Sequence, residues 1–360
     1  MPPAEGGGME ISMKVLMIYP YVPTLRFFKD FAEMIEDYQK VILIPLSGTE
    51  RSKALKKNTN MWEYLDNWKE GVYEADTILL LNGLYSGEKY EEIIDFGIDK
   101  QKEILVEKAV WNILDDGKRE KVHLLFVPDT WKEIQPDTAL RELDIPILSV
   151  MGMGPNTNKF YTQLSLKKYF EEKGYRTLVV GSNELSSLFG IPMLPSSMFE
   201  NISFRQKILI LNQYICEKAK EYRPDIIIIG CPGGIMPYDR HINNGFGEIP
   251  LVVSKAIPID INILLTYYIR KELLDTEYIV SIKKFCEENF ETSNVFLGMT
   301  DVDVQYNEER NQVEYMFLDE KTVQESTGTD LEIFNMMKRE TPREICSIIE
   351  KILKVDFEVV

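Results

Sequence analysis

The residues with the clearest chemical potential form a short glycine-containing loop. It runs from Gly152 to Lys159 with the sequence GMGPNTNK, after an apolar run and before a stretch with helical spacing. At a strand–turn–helix junction, free backbone N–H groups point at one spot and the helix dipole adds positive potential there. The sequence therefore predicts an anion or phosphate site, to which the following residues are assigned: Gly152, Gly154, Asn156, Asn158, Lys159 and Thr162.

This loop departs from the P-loop pattern G-x-x-x-x-G-K-[ST], which has a glycine before its lysine and a hydroxyl residue after it. Asn158 replaces the glycine, Phe160 replaces the hydroxyl residue, and the spacing from Gly152 is one residue too long. Two interpretations stay open, a working site and a former phosphate loop that now only shapes the turn. Thr162 either offers its hydroxyl to a ligand or bonds its own backbone.

A second glycine turn follows the apolar run 226–229. Gly233 and Gly234 in this turn are assigned to the same ligand site. Arg240, in the polar loop that follows, is a candidate clamp for a carboxylate or phosphate. The alternative is a solvated loop in which Asp239 and Arg240 balance each other's charge.

Cys231 and His241 are the candidate catalytic residues. Cys231 lies at the end of the isoleucine run, and His241 follows ten residues later. A cysteine nucleophile needs a base or a positive partner to form its thiolate, so a Cys–His pair would support acyl chemistry. The alternative is a buried, inert cysteine. The sequence predicts no metal site.

The loop at 152–162 is similar to the longer-spaced phosphate loop of the dethiobiotin-synthetase-like P-loop proteins. It is closer to that of the D-glutamate N-acetyltransferase family, in which G-T-D-C-x-x-G-K-M-T-T occupies the same eleven positions. The segment 224–237, PDIIIIGCPGGIMP, resembles the strand and glycine turn that read V-E-G-x-G in those families. Gly230 stands where they carry an acidic residue linked to the metal. At its full length the chain most resembles the peptide maturation system proteins that occur with radical-SAM enzymes in ribosomal peptide natural-product clusters.

These resemblances imply two functions. One is an accessory protein of ribosomal peptide maturation, whose loop binds a nucleotide or other phosphate-bearing ligand without efficient hydrolysis and whose partner is a precursor peptide or a radical-SAM enzyme. The other is an N-acyltransferase that rests the phosphates of acyl-CoA on the loop and acts on an amino acid or peptide amine. A scaffold with no small ligand is a third possibility. Phe160 and Gly230 argue against magnesium-dependent phosphoryl transfer.

The amino-acid composition limits the kinds of partner that the protein is expected to bind. The net charge is −17 over 360 residues, which argues against nucleic acid as the main partner. Between Asp301 and Glu332 there are ten acidic and two basic residues. The four cysteines form no C-x-x-C pair, which is typical of reduced thiols in a cytoplasmic protein. No stretch predicts a membrane span or a signal peptide.

Apolar β-branched runs alternate with helical patterns, which predicts an α/β fold with parallel sheets. We expect a disordered leader at 1–12, a doubly wound, Rossmann-like domain at 13–138, a P-loop-like α/β domain at 143–262 and a small acidic α+β region at 263–360. Within them the patterns predict helices at 25–38, at 89–114 and from about Ile263, a strand at 251–253, and a hairpin of 302–305 with 313–318.

Overall fold

The computed structural model describes residues 14–46, 59–83, 87–126, 139–181, 183–292, 294–327, 332–338 and 340–357. The predicted leader at 1–12 lies outside them. The chain divides into two compact units, the first formed by 1–127 with 187–190 and the second by 128–186 with 191–360. Each unit contains a parallel sheet with helices, so the predicted α/β fold is confirmed.

The first unit is doubly wound. Within its described residues, six parallel strands lie in the order β3-β2-β1-β4-β5-β6, which is the order of dinucleotide-binding sheets. The central strands of this sheet are mostly buried apolar runs, as expected of a parallel sheet that is covered on both faces. The elements are β1 (Lys14–Tyr21), α1 (Phe27–Asp30), β2 (Tyr38–Pro45), β3 (Trp62–Tyr64), α2 (Trp68–Glu74), β4 (Thr77–Leu80), α3 (Gly87–Asp99), β5 (Glu103–Val106), α4 (Lys108–Ile113), α5 (Asp116–Arg119) and β6 (His123–Leu124).

Two predicted helices of this unit are wrong in extent. The pattern at 25–38 forms only α1 and short 3-10 turns before β2 begins. The predicted helix at 89–114 is interrupted by β5, which pairs with β4 along its whole length. The second error has a clear cause: the short apolar run of β5 fits a buried strand and a helix face equally well, and only its tertiary neighbours decide between them.

The second unit is built around β7, which lies in the middle of its sheet. The described strands follow the order β14-β11-β10-β7-β9-β8, all parallel, and β12 pairs with β13 as a separate antiparallel hairpin. The elements are β7 (Ile147–Gly152), α6 (Lys159–Glu172), β8 (Thr177–Val180), α7 (Phe204–Tyr222), β9 (Ile226–Gly230), α8 (Glu248–Ala256), β10 (Ile261–Thr266), α9 (Thr276–Phe290), β11 (Asn294–Met299), β12 (Val302–Asn307), β13 (Gln312–Phe317), α10 (Glu320–Ser326), β14 (Ile333–Asn335) and α11 (Thr341–Phe357).

The sequence misassigned two elements of this unit. The predicted strand at 251–253 lies inside α8, and the helix expected from about Ile263 is replaced by β10, whose six residues are all buried. β10 spans the predicted boundary between the P-loop-like domain and the acidic region. Strands from both segments join one sheet, so the structure places 143–262 and most of 263–360 in a single compact unit. The predicted hairpin is confirmed as β12 and β13.

All four cysteines lie in the second unit, and each is free and buried. Cys216 is on α7, Cys231 directly follows β9, Cys286 is on α9 and Cys346 is on α11. Burial raises the pKa of each thiol, to about 12 for Cys231, Cys286 and Cys346. Among the described residues, no helix has both the length and the apolar character that crossing a membrane requires.

Candidate functional site

The loop between β7 and α6 starts at the carboxyl end of the central strand, where ligands bind in open parallel sheets. Asn156 and Asn158 have left-handed backbone angles, with φ of 60° and 55°, a conformation that asparagine adopts more readily than most residues. Gly152 is closely packed, since a Cβ there would lie 2.3 Å from the Thr157 hydroxyl. The loop is therefore folded tightly over the first turn of α6.

Lys159, the first residue of α6, turns its amine back into this loop. Nζ donates to Gly154 O at 2.6 Å, to Gly233 O at 3.0 Å and to the Thr157 hydroxyl at 3.3 Å. In the part of the chain that the structure describes, no carboxylate pairs with it. Burial lowers the pKa of this amine to about 8, and the neighbouring Cys231 opposes that shift. A cation thus lies at the positive end of a 14-residue helix, held only by uncharged oxygen atoms.

The second glycine turn closes directly on the loop. Gly234 packs so closely that an added Cβ would lie 2.4 Å from Met153 O. Asn244 donates from Nδ2 to Met153 O at 2.7 Å and to Met236 O at 3.0 Å. The structure therefore brings together the two glycine turns that the sequence singled out, and it adds Asn244 as the side chain that ties them.

The space beside Gly230 is filled by a glutamine. An added Cβ on Gly230 would lie 2.4 Å from Gln163 Oε1, and Gln163 donates from Nε2 to Val180 O at 3.0 Å. Oε1 itself is buried without a hydrogen-bond partner. A side chain at the position that carries an acidic residue in the P-loop families would therefore have to displace the Gln163 amide.

Thr162 does not present its hydroxyl to the loop. Its Oγ1 donates to Asn158 O at 3.2 Å, which is the backbone bond expected of a threonine inside a helix. The Asn158 side chain instead donates from Nδ2 to Asp301 Oδ1 at 3.3 Å. Asp301 follows β11, so the carboxyl end of that strand also reaches the site.

The structure does not join Cys231 to His241. Cys231 has no exposed surface, and burial keeps its thiol protonated by raising its pKa to about 12. His241 is exposed, stacks on Tyr306 with ring centroids 4.0 Å apart, and accepts a hydrogen bond from Arg240 Nε at 2.8 Å. The predicted Cys–His pair is absent, because the nine residues between them carry the histidine out to solvent.

Arg240 is not placed to act as the predicted anion clamp. Its side chain is 81% exposed, and NH2 lies 4.0 Å from Glu308 Oε1. An exposed pair of this kind contributes little to stability. The guanidinium group therefore interacts with the acidic β12–β13 hairpin and not with the loop.

Sequence reasoning missed three residues of the site: Asn244, Gln163 and Asp301. The sequence Asn243-Asn244-Gly245 signals a turn, but it does not show where the Asn244 amide will reach. Gln163 sits inside a helix with no local signal. Asp301 follows a strand of the same parallel sheet. The carboxyl ends of such strands meet at one edge, which would have pointed to Asp301. The predicted domain boundary near 262 hid this, because it placed Asp301 in a separate region.

No protein-family model matches the chain, and no curated protein matches it. Among solved structures, the fold is similar to that of a DUF1611 family protein from Anabaena variabilis, with a TM-score of 0.55 and 10% identity over 93% of this chain and 99% of that one. A pseudomurein peptide ligase type C from Methanothermus fervidus is similar at a TM-score of only 0.27, with 11% identity over 81% of this chain and 50% of that one, which supports no inference. The first likeness shows a shared α/β fold over nearly the whole of both chains.

Proposed function

We propose that the chain binds a nucleotide or another phosphate-bearing ligand at the loop from Gly152 to Lys159. One observation carries this proposal: the partly buried Lys159 ammonium lies at the positive end of α6 and has no acidic partner among the described residues. Buried charges are costly unless they are paired. An anion that takes the place of the Gly154 and Gly233 carbonyls would supply the missing negative charge, and the positive end of the helix dipole would favour it.

We further propose that the site binds this ligand without efficient hydrolysis. The two side chains that hold magnesium in P-loop proteins have no equivalent, because Phe160 replaces the hydroxyl residue and Gly230 replaces the carboxylate. Thr162 cannot substitute while it bonds Asn158, and Gln163 closes the space beside Gly230. Among the described residues no group of three or more His, Cys, Asp and Glu side chains is placed to hold a metal ion.

Calorimetric titration of the purified chain with ATP, GTP and tripolyphosphate, each with and without magnesium, tests this function. We expect all three compounds to bind, because they share the phosphate chain, and we expect ATP to stay intact over hours at 25 °C. A ligand at about a hundred times its Kd should add roughly 2.7 kcal/mol to the free energy of unfolding. No binding by any of the three would overturn the proposal, and rapid phosphate release would overturn its second part.

Phosphate binding is expected to weaken above pH 8. The Lys159 amine has a pKa of about 8, so the charged fraction of the free protein falls about tenfold for each pH unit above that value. The ligand stays fully ionised in this range, because the second pKa of a phosphate is about 6. The Kd should therefore rise by up to about tenfold per unit. Lys159→Arg, which stays charged, should show no such rise, and a parallel rise in that variant would contradict the assignment.

For the biological setting we propose an accessory role in ribosomal peptide maturation. Two features support this role: the resemblance given above and the acidic segment from Asp301 to Glu332. In that segment the β12–β13 hairpin exposes Met316 and Phe317 beside its carboxylates. A basic, amphipathic peptide would fit that surface. Neighbouring genes for a radical-SAM enzyme and a short precursor peptide would favour this setting. The acyl-CoA-dependent alternative is not retained, because nothing at the site favours acyl-CoA and Cys231 is buried and protonated.

A further inference from the structure

Four consecutive residues beside the loop have left-handed backbone angles. Their φ values are 51° at Asn244, 61° at Gly245, 55° at Phe246 and 73° at Gly247. Glycine adopts this conformation freely and asparagine tolerates it, but a bulky side chain pays a steric penalty. Phe246 is the only apolar or aromatic residue with a positive φ among the described residues. Strain of this kind persists only where surrounding contacts enforce it.

Contacts at both ends enforce it in this turn. At the first end, the two Asn244 side-chain bonds already described hold the backbone to Met153 and Met236. At the other end, Gly247 packs so closely that an added Cβ would lie 2.2 Å from Ile235 O. Phe246 lies between these two fixed points, so its backbone is held in the left-handed conformation.

The Phe246 ring is therefore exposed to solvent on a turn whose backbone packs against the second glycine turn of the site. The Phe246 side chain is 72% exposed, which is the largest exposed fraction of any large hydrophobic residue that the structure describes. The turn adjoins the partners of Lys159: the backbone oxygen of Asn244 lies 3.5 Å from the position of a Cβ on Gly233, whose carbonyl accepts from the amine. The strained backbone holds an aromatic ring exposed to solvent beside an anion site. Such a ring is suited to contact with a bound ligand.

We propose that Phe246 is the base-stacking residue of this site, and that the ligand is a purine nucleotide and not a bare phosphate. The inference rests on the proposed function, because it takes the phosphate chain to lie on the Gly152–Lys159 loop. An aromatic face stacks on any base, and the larger purine rings gain most from it. No hydrogen-bonding side chain is needed for this contact, so the stacking itself does not separate adenine from guanine.

The test compares ATP with tripolyphosphate, which has the same phosphate chain and no base. Both ligands are titrated calorimetrically into wild type, Phe246→Gly and Phe246→Trp. We expect Phe246→Gly to bind ATP about tenfold or more weakly and Phe246→Trp to bind it as wild type does. Tripolyphosphate should bind all three proteins equally. Phe199→Ala, which removes another exposed ring of the same unit, is the matched control and should change neither ligand. Glycine suits the left-handed turn, so the Tm of Phe246→Gly should not fall below that of wild type.

Each other outcome has a definite meaning. Equal ATP affinity in wild type and Phe246→Gly would overturn the inference and leave the proposed function intact. Equal loss of ATP and tripolyphosphate in Phe246→Gly would also overturn it, because the residue would then only shape the loop. If neither compound binds the wild type, the proposed function fails, and the inference fails with it.

Discussion

Lys159→Met is expected to weaken binding of tripolyphosphate on the order of a hundredfold while the protein stays folded. The ammonium brings the formal positive charge to the loop, and a charge-assisted hydrogen bond to a phosphate is worth about 2–3 kcal/mol. Methionine keeps a flexible side chain of similar length without the charge. The backbone N–H groups of α6 remain, so weak residual binding should persist.

The same variant should not lose stability at neutral pH. A pKa lowered from 10.5 to about 8 means that the folded chain holds the charged amine less well than water does. The penalty is fully present below pH 8, so removing the charge relieves it there, although the Gly154 and Gly233 carbonyls lose a donor. Thermal unfolding of the unliganded variant checks this point.

Lys173→Met is the matched control for this experiment. Lys173 lies at the opposite end of α6 and is exposed. Its substitution by methionine removes the same charge as Lys159→Met. It should leave tripolyphosphate affinity within about twofold, because an exposed charge that far along the helix is screened by salt. Equal weakening in both variants would mean that only the net charge matters, and the assignment of Lys159 would be wrong.

Gly230→Asp is expected to lower the free energy of unfolding by about 3–5 kcal/mol. The substitution restores the acidic residue of the P-loop families, but the site has no room for it. A Cβ at this position would lie 2.4 Å from Gln163 Oε1, so the glutamine would have to move and give up its bond to Val180 O. A carboxylate would also enter a fully buried strand end.

Two companion variants separate the steric cost from the cost of the charge. Gly230→Ala adds only the Cβ and should cost about 1–3 kcal/mol. Gln163→Ala opens the space, so adding it to Gly230→Asp should recover part of the lost stability, a non-additivity expected of residues in contact. Calorimetric unfolding of wild type, Gly230→Asp, Gly230→Ala, Gln163→Ala and the Gly230→Asp/Gln163→Ala double variant measures each difference. Simple additivity of the two substitutions would show that Gln163 does not occupy the space beside residue 230.

The sequence was sufficient for the part of the site that is local. β7 and α6 follow from an apolar run, a glycine break and the helical spacing of the residues after Lys159. The same reasoning failed at β10, because six consecutive buried residues carry no periodicity that distinguishes a strand from a helix. That single error also separated Asp301 from the site.

The contacts that define the site's chemistry are not local. Asn244 reaches Met153 across ninety-one positions, and Asn158 reaches Asp301 across one hundred and forty-three. Spacing along the chain could not show that Lys159 bonds to Gly233 O, and it wrongly suggested that Cys231 and His241 meet. Strand order decides these distances, and the sequence alone did not give the order of the sheet.

The four buried thiols have a practical consequence. Thiolate is the species that reacts with alkylating reagents, and both burial and a raised pKa suppress it, so the folded chain should be nearly inert to them. The thiols sit on α7, at the end of β9, on α9 and on α11, while the first unit contains no cysteine. Alkylation of any one of them therefore records the transient opening of one element of the second unit. The chain carries its own set of positioned chemical reporters for that unit.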